Sequence, residues 1–551
     1  MRIAIAQINC TVGDLSGNAL RILEFAERAR ALGADLLLTP ELSICGYPPE
    51  DLLLRDDFCA ACQREVERLA ARVQGIDVLV GHPHVQEGRR YNAASLLRGG
   101  RLAGTYHKRD LPNSEVFDEE RYFESGSGAL VFDVAGTMVG VNICQDVWGP
   151  ERAFATGKPL RASPGERQAP KAARAAGAQV LVVLNASPYH LGKQRTRHEV
   201  VRGCVLEAGM PVVFCNWVGG QDELVFDGQS FVMDVRGAVT QQLRAFEEDL
   251  AVVEFRGAEP VPGPVAPELS VEAAVYKALT LGVRDYVGKN GFPGALIGLS
   301  GGIDSALTVC VAADALGPER VHAVMMPSQF TASISLEDAR VIVARLGVRY
   351  SEIAIRPVFD SFLAALAPEF KDRPFDTTEE NIQSRIRGTL LMALSNKFGS
   401  IVLTTGNKSE MSTGYATLYG DMAGGFDVLK DITKGMVYRL ARYRNTVCEV
   451  IPERVIARPP SAELRPNQTD QDSLPPYDVL DAIVQRYVEQ DRSIDEIVRE
   501  GFPRADVERV VKLLHVSEYK RRQAPVGIRI TPRGFGKDWR FPITNKFRGG
   551  L

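Results

Sequence analysis

The sequence predicts an α/β protein of two domains, and three observations lead to that prediction. The chain has 551 residues, of which 45% are hydrophobic and 24% charged, enough for two or three packed cores. Short apolar runs alternate with helical patterns along both halves. Residues 257–268 interrupt this alternation with four prolines in eight positions and predict an extended linker. We therefore expect domains at 1–256 and 270–551, joined by a linker at 257–269.

The patterns in both halves are typical of helices packed on buried strands. Before the linker, IAIAQIN, ADLLLTPEL, DVLVGHP, TMVGVNIC, QVLVVLNAS and PVVFCNW are apolar on both faces, which predicts strands covered by helices. A first helix is expected over about 17–32. After the linker, strands at ALIGLS, VHAVMMPS and IVLTTG alternate with helices at SALTVCVAADALG and SLEDARVIVARLG, which predicts a doubly wound parallel sheet. Ser270 is the expected N-cap of a helix that stops at Gly291.

Composition and charge exclude several classes of protein. Lys and Arg number 65 against 69 Asp and Glu, a net charge of −4, so no nucleic-acid partner is expected. The sequence holds no run of 18 apolar residues and no leader at its start, so we expect neither a membrane span nor a signal peptide. Nine scattered cysteines, an odd number, indicate reduced thiols in a cytoplasmic enzyme.

A glycine-rich turn in the second half indicates a phosphate site. SGGIDS, residues 300–305, lies where a strand meets a helix, so glycines allow close approach and the helix N-terminus offers N–H groups. Asp304 can hold Mg²⁺ against phosphates, and the turn lacks the Gly-Lys-Ser/Thr ending of a Walker A loop. The motif resembles the loop of N-type ATP pyrophosphatases, which cleave ATP between the α and β phosphates. The resemblance implies ATP contacts from Gly298, Leu299, Ser300, Gly301, Gly302, Ile303, Asp304 and Ser305.

Further segments of the second half resemble the NAD synthetase signature. They are EENIQSRIRG, TTGNKSEMSTGYATLYGD, DVLKDITKGMVYRLARY, RPPSAELRPNQTDQDSLPPYDVLD and EYKRRQAP. The resemblance implies an ATP contact from Thr405 and a second Mg²⁺ or deamido-NAD ligand in Glu410. The deamido-NAD contacts that it implies are Asn381, Glu410, Asp421, Lys434 and Lys520. Cations suit this chemistry, because a carboxylate attacking an α-phosphate accumulates negative charge.

Three separated residues in the first half match the triad of the nitrilase (carbon–nitrogen hydrolase) superfamily. They are Glu41 in LLLTPELSICGYPPEDLL, Lys108 in GTYHKRDLPNSEVFDEERYF and Cys144 in VGVNICQDVW. By that resemblance the Cys thiolate attacks an amide, the Glu moves the proton and the Lys stabilises the oxyanion. Glu115 is a candidate second carboxylate to which we assign no catalytic role.

The resemblance also suggests how glutamine is held. Ser187 and Lys193, in NASPYHLGK, would bind it, with Lys193 facing its α-carboxylate. Ser114 stands in LPNS, where the family usually has a glutamine-contacting Tyr, and Gln145 follows the nucleophile where an acidic residue is common. A basic Pro/Gly-containing segment at 151–170 is expected to be a surface loop.

The two signals follow one another in the order seen in glutamine-dependent NAD synthetases. The nitrilase signal implies an α-β-β-α sandwich at the N-terminus, and the second half implies a fold like the adenine nucleotide α hydrolases. The resemblance implies a ligase that uses ATP, Mg²⁺, deamido-NAD and L-glutamine or ammonia, and that forms a homo-oligomer. Two alternatives remain: an RNA-modifying synthetase, and an ammonia-dependent synthetase with a non-catalytic amidase-like domain. A glutaminase assay or copurifying tRNA would separate them.

Overall fold

The computed structural model describes residues 1–148, 168–466, 468 and 474–547. The chain divides into two compact units, Met1–Leu269 and Ser270–Leu551. The segment expected to be a surface loop lies outside the described residues except for 168–170, which begin a helix. Among the described residues, no helix is both long and apolar enough to cross a bilayer.

The first unit is a four-layer sandwich. A seven-stranded sheet has the order β15-β14-β1-β2-β3-β4-β5, and a six-stranded sheet has the order β13-β12-β9-β8-β7-β6. The helices are α1 (Leu15–Ala31), α2 (Asp56–Arg72), α3 (Gln168–Ala175) and α4 (Lys193–Ala208). The strands are β1 (Arg2–Gln7), β2 (Leu36–Leu38), β3 (Asp77–Gln86), β4 (Arg89–Arg98), β5 (Arg101–His107), β6 (Val131–Val134), β7 (Thr137–Ile143), β8 (Val180–Asn185), β9 (Val212–Asn216), β10 (Val218–Gln221), β11 (Leu224–Asp227), β12 (Phe231–Met233), β13 (Val239–Gln242), β14 (Asp249–Arg256) and β15 (Glu259–Pro260).

Strand alternation explains why this unit has three apolar layers. Ile3 and Ile5 of β1 belong to the core between the two sheets, whereas Ala4 and Ala6 of the same strand pack with α1 and α2. A third core lies between the second sheet and the helices α3 and α4. Both faces of each central strand are therefore buried, which is why the sequence shows apolar runs without alternation. The expected α-β-β-α sandwich is confirmed.

The second unit is built on a five-stranded parallel sheet of order β18-β17-β16-β19-β20. Its strands are β16 (Ala295–Gly298), β17 (Val321–Met325), β18 (Arg349–Glu352), β19 (Ile401–Thr404) and β20 (Phe426–Asp427). Its helices are α5 (Val271–Lys289), α6 (Ile303–Leu316), α7 (Ser333–Leu346), α8 (Arg356–Phe370), α9 (Thr377–Phe398), α10 (Lys408–Thr413), α11 (Lys434–Val447), α12 (Glu453–Ala457), α13 (Tyr477–Val484), α14 (Ile494–Arg499), α15 (Arg504–Val516) and α16 (Glu518–Arg521). The strand order reverses between β16 and β19, which opens a crevice at the carboxyl ends of these strands. The expected doubly wound parallel sheet is confirmed.

Helix ends follow their capping residues. The Ser270 side chain accepts from the backbone N–H of Ala273 at 3.2 Å, as expected for an N-cap. The predicted start of α1 near Gly17 is wrong by two residues, because the Asp14 side chain caps the helix by accepting from the Gly17 N–H at 3.0 Å.

The proline-rich stretch pairs with the first unit. Pro260 pairs with Phe255 in the β14–β15 hairpin, and Val265 forms a bridge with Gln242. Extended backbone suits an edge of a sheet as well as a linker, and proline is tolerated at such an edge. Most of this stretch therefore extends the seven- and six-stranded sheets, and the compact unit ends at Leu269.

Candidate functional site

The first unit brings Glu41, Lys108 and Cys144 to one buried place. Glu41 follows β2, Lys108 follows β5 and Cys144 follows β7, so each lies just beyond the end of a strand. Lys108 Nζ lies 2.6 Å from Glu41 Oε1, and both side chains are fully buried. Cys144 has a φ of 41°, in the left-handed region, at the turn after β7. Such strain in a non-glycine residue is typical of functional sites, where the surrounding structure holds it.

A fourth residue, Glu119, completes this cluster. Lys108 Nζ donates to Glu119 Oε1 and Oε2 at 2.9 and 2.8 Å, so the ammonium lies between two carboxylates. Tyr47 also donates to Glu119 at 2.8 Å. Sequence reasoning considered Glu115 for a second carboxylate and missed Glu119, four residues later. The motif that it quoted, FDEERYF, contains Glu119, but three neighbouring acidic residues gave no way to choose between them.

Burial sets the proton positions in the cluster. Burial and the neighbouring Glu41 hold the pKa of the Cys144 thiol well above its ordinary value, so the sulfur carries its proton at neutral pH. Burial alone would lower the pKa of Lys108, but Glu119 and Glu41 outweigh it and raise that pKa. Burial raises the pKa of Glu119, and Lys108 opposes this effect. The cluster thus contains a permanent cation and a thiol that needs a base.

Backbone and amide groups orient the base. Asn92 Nδ2 donates to Glu41 Oε1 at 2.7 Å, and the Ala186 N–H donates to Glu41 Oε2 at 2.9 Å. Asp146 joins the segment after β5 to the end of β7, because its side chain accepts from the backbone N–H groups of Arg109 and of Ile143. These positioning contacts come from residues far apart in sequence, and the sequence alone had no signal for them.

The three residues expected to bind glutamine lie in three different environments. Ser187 is buried and directly follows Ala186, beside Glu41. Lys193 is the first residue of α4, and its ammonium lies 4.6 Å from the centre of the Trp148 ring. Ser114 is half-buried, and its carbonyl accepts from the Phe117 N–H at 3.0 Å. Ser187 therefore lies next to the Glu41 cluster.

The second unit contains a cavity of about 470 Å³ at the switch point of its sheet. Lining this cavity are Gly298, Leu299, Ser300, Gly302, Ile303, Asp304, Ser305, Thr405, Asn381, Glu410, Asp421, Lys434 and Lys520. Gly301 is absent from the lining: its carbonyl accepts from Arg458 at 3.0 Å, and a Cβ there would lie 2.3 Å from the Ser335 carbonyl. Its φ of 80° also requires glycine. Gly301 thus shapes the turn rather than the cavity surface.

Two carboxylates and one ammonium meet at the floor of this cavity. Lys434 Nζ lies 2.5 Å from Asp304 Oδ2 and 3.8 Å from Glu410 Oε1. Asn407 donates to Asp304 Oδ1 at 2.9 Å and caps α10, the helix that carries Glu410. Mg²⁺ in nucleotide sites takes one or two carboxylates together with substrate phosphates, and this pair fits that requirement. Within the described part of the chain, no group of three or more His, Cys, Asp or Glu side chains could hold an ion.

The lining of the cavity carries further polar groups. Asn381 accepts from the Thr417 hydroxyl at 2.7 Å, and the Thr417 N–H donates to Asp421 at 2.6 Å. Lys520 donates to the carbonyls of Gly414 and Ala416, both at 2.7 Å. Burial raises the pKa of Asp421 and lowers that of Lys520.

Sequence reasoning missed Arg387, one of the arginines that line this cavity. Arg387 lines the cavity and donates to the Met326 carbonyl at 3.0 Å. Burial lowers its pKa to about 10, which leaves it charged at neutral pH. It lies in EENIQSRIRG, a segment already quoted, where two arginines alternate and helical position decides which one faces inward.

Comparison with known proteins matches each half of the chain to a family. Residues 2–159 and 166–259 match the model of the carbon-nitrogen hydrolase family, and residues 275–524 match that of the NAD synthase family. The glutamine-dependent NAD(+) synthetase of Acinetobacter baylyi is 46% identical over 552 residues, which cover 99% of each chain. This chain belongs to the glutamine-dependent NAD(+) synthetase family.

Other members of the glutamine-dependent NAD(+) synthetase family match over similar lengths. The Thermotoga maritima member is 44% identical over 589 residues and covers all of both chains. The structure of the Acinetobacter baumannii member in complex with adenosine diphosphate has a TM-score of 0.78 at 43% identity and covers 99% of this chain and 98% of that chain. The chain is thus a ligase of NAD biosynthesis that uses ATP and takes its nitrogen from glutamine, as expected from the sequence.

Proposed function

We propose that the two units divide one reaction between them. The first unit, residues 1–256 with the proline-rich stretch after them, hydrolyses L-glutamine to L-glutamate and ammonia. The second, 270–551, transfers AMP from ATP to the carboxylate of deamido-NAD with release of diphosphate, and ammonia then displaces AMP to give NAD. The buried Glu41–Lys108–Cys144 cluster carries this proposal, because an ammonium between carboxylates beside a strained cysteine suits amide hydrolysis.

Glutamine hydrolysis proceeds through a thioester in this proposal. Glu41 takes the thiol proton as Cys144 Sγ attacks the side-chain carbonyl carbon of glutamine. Glu41 then gives the proton to the departing nitrogen, the C–N bond breaks and ammonia leaves. Water, deprotonated by Glu41, attacks the thioester and releases glutamate and the thiol. The short Lys108–Glu41 contact supports an ammonium placed to stabilise the oxyanion of each tetrahedral intermediate.

Glu119 and the glutamine-binding residues act around that chemistry. Glu119 holds Lys108 between two negative charges, so that Glu41 remains available as a base. Ser187 and Lys193 bind the α-carboxylate end of glutamine, and Ser114 lies in the segment that would cover it. A hydroxyl and an ammonium are both donors that suit a carboxylate, and this chemistry supports the proposal.

Amidation takes place in the cavity of the second unit. The 300–305 turn and the N-terminus of α6 hold the ATP phosphates, with Thr405 nearby. Asn381, Asp421 and Lys520 bind deamido-NAD in this proposal. The ammonium of Lys434 would offset the negative charge that develops between the carboxylate of deamido-NAD and the α-phosphate of ATP. Mg²⁺, held by Asp304 and Glu410, would neutralise phosphate charge. The convergence of these side chains on one cavity supports the proposal.

The remaining expectations are a cytoplasmic location and a homo-oligomeric state. All nine cysteines lie in the described part of the chain and none forms a disulfide there, which supports a reducing compartment. Resemblance to the family supports the oligomer.

The substitution Cys144→Ala tests the division of labour. Without a thiol no thioester forms, so glutamine-dependent NAD synthesis should fall by several orders of magnitude. Synthesis with ammonium should be nearly unchanged, because adenylation occurs in the other unit. NAD is measured with each nitrogen source, and Cys204→Ala, a buried cysteine on α4, serves as the control. A parallel fall in both activities, or full activity with glutamine, would contradict the assignment.

A further inference from the structure

Arg197 occupies an unusual position near the glutamine site. It lies on α4, one helical turn after Lys193, and its side chain is fully buried. All five of its N–H groups have an acceptor. Nε donates to the Ser187 hydroxyl at 3.1 Å, and Nη2 donates to the carbonyls of Ser187 and Pro188 at 2.7 and 3.2 Å. Nη1 donates to Gln194 at 3.1 Å and to Asp227 Oδ2 at 2.9 Å.

Because each of its N–H groups already has an acceptor, Arg197 has none left to donate to a substrate. Its charge is balanced by Asp227, a carboxylate that is also fully buried, at 2.8 Å. A buried ion pair can be replaced by apolar residues without loss of stability, so stability alone does not explain the choice of arginine. What a planar guanidinium provides is a fixed set of donor directions. Two of the three groups that its Nε and Nη2 bind belong to Ser187.

Ser187 is thereby held in one orientation. Its N–H donates to Asn216 Oδ1 at 2.9 Å, and its carbonyl accepts from Arg197 and from Asn216. Because the hydroxyl oxygen already accepts from Arg197, its proton must point away from the guanidinium. No described residue accepts that proton. The preceding residue, Ala186, donates to Glu41, so this hydroxyl lies beside the Glu41–Lys108–Cys144 cluster.

We propose that Arg197 is a positioning residue that makes Ser187 a hydrogen-bond donor of fixed direction for the α-carboxylate of glutamine. Lys193, four residues earlier on the same face of α4, supplies the charge that a carboxylate requires. A free hydroxyl could equally accept from an ammonium, whereas a hydroxyl held by Arg197 favours an acceptor. The arrangement therefore selects the carboxylate end of an amino acid. The inference rests on the proposed role of Ser187 in glutamine binding.

A double-mutant cycle tests this inference in the full-length enzyme. Ser187→Ala should raise the KM for glutamine about tenfold, as expected when a hydrogen bond to a charged group is lost. Arg197→Lys keeps the charge but not the fork of donors, so it should raise that KM to a similar extent with kcat nearly unchanged. Combining the two should raise KM by less than twofold over Ser187→Ala alone. Ammonium-dependent synthesis is measured for each variant as a control.

A charge-neutral pair covers the case in which Arg197→Lys does not fold. Arg197→Met with Asp227→Asn removes both buried charges together and leaves neither unpaired. This pair should show the same non-additivity with Ser187→Ala. If Ser187→Ala raises the KM for glutamine by the same factor with and without the substitution of Arg197, the inference is overturned. The proposed role of Ser187 in binding glutamine would still stand. An unchanged KM in Ser187→Ala would instead refute the proposed glutamine-binding role, and the inference with it.

Discussion

At the scale of single residues, the first site depends on how one ammonium is shared. Lys108 contacts both Glu41 and Glu119, and all three side chains are buried. Burial raises the pKa of Glu119, and the neighbouring Lys108 opposes this effect. Without Glu119, Lys108 would pair with Glu41 alone. We therefore propose that the chemistry of the cluster needs Glu119 as well as the three residues expected from the sequence.

The isosteric substitution Glu119→Gln tests whether the chemistry needs the carboxylate of Glu119. Glutamine-dependent NAD synthesis should fall by about two orders of magnitude, a typical contribution of acid–base catalysis. Ammonium-dependent synthesis should stay at the level of the parent enzyme. Both rates are measured by NAD formation, with Glu120→Gln, an exposed neighbour, as the matched control. Retention of the glutamine activity would show that Glu119 has no part in the chemistry.

At the scale of secondary structure, each site lies where strands end. Cys144 follows β7 in the first unit, and the 300–305 turn joins β16 to α6 in the second. The N-terminus of α6 lies in the lining of the cavity, and the first-turn N–H groups of a helix suit phosphate. Asp304 lies in the first turn of α6 and reaches Lys434, at the start of α11. Two helix starts therefore meet at the cavity floor with opposite side-chain charges.

The substitution Asp304→Asn tests this element. NAD formation should be abolished with either nitrogen source, because the change removes a Mg²⁺ ligand and the charge that holds Lys434. Part of the glutamine hydrolysis should remain, since that chemistry belongs to the other unit. Release of AMP from ATP is measured alongside glutamate release. The control is Glu319→Gln, an exposed residue after the same helix, and normal AMP release in Asp304→Asn would refute the assignment.

At the scale of the whole molecule, two units with separate cores carry two half-reactions. Each unit has its own sheets and its own buried polar site, and ammonia is the product of one and the substrate of the other. Variants that each disable one unit should therefore complement each other through solution.

A mixture of Cys144→Ala and Asp304→Asn enzymes tests this complementation. The Asp304→Asn enzyme should release ammonia from glutamine into the solvent, and the Cys144→Ala enzyme should use it. NAD should form after a lag, at a rate set by the ammonium that has accumulated. Each variant alone serves as the control. A mixture that stays inactive while glutamate accumulates would contradict the proposed independence of the two chemistries.

The sequence by itself determined the fold class and the chemistry of both halves. Apolar runs, a capping serine at Ser270 and the SGGIDS turn are local features, and each acts through neighbours in the chain. The triad residues and 13 of the residues that line the cavity were also found from motifs. For the triad the signal was the combination of three separated residues that resemble a family pattern, because a cysteine after a buried strand is by itself most often a core residue.

Only the tertiary structure decided which residues support those groups. Lys108 donates a hydrogen bond to Glu119 and not to Glu115. Arg197, on α4, donates to the Ser187 hydroxyl. Lys434 donates to Asp304, which is 130 residues away in the chain. The proline-rich stretch, extended in either reading, became part of the first unit because edges of its sheets were available. The physical reason is common to all of these: charge pairs and edge pairings join segments distant in sequence, and local propensity carries no information about partners that folding brings together.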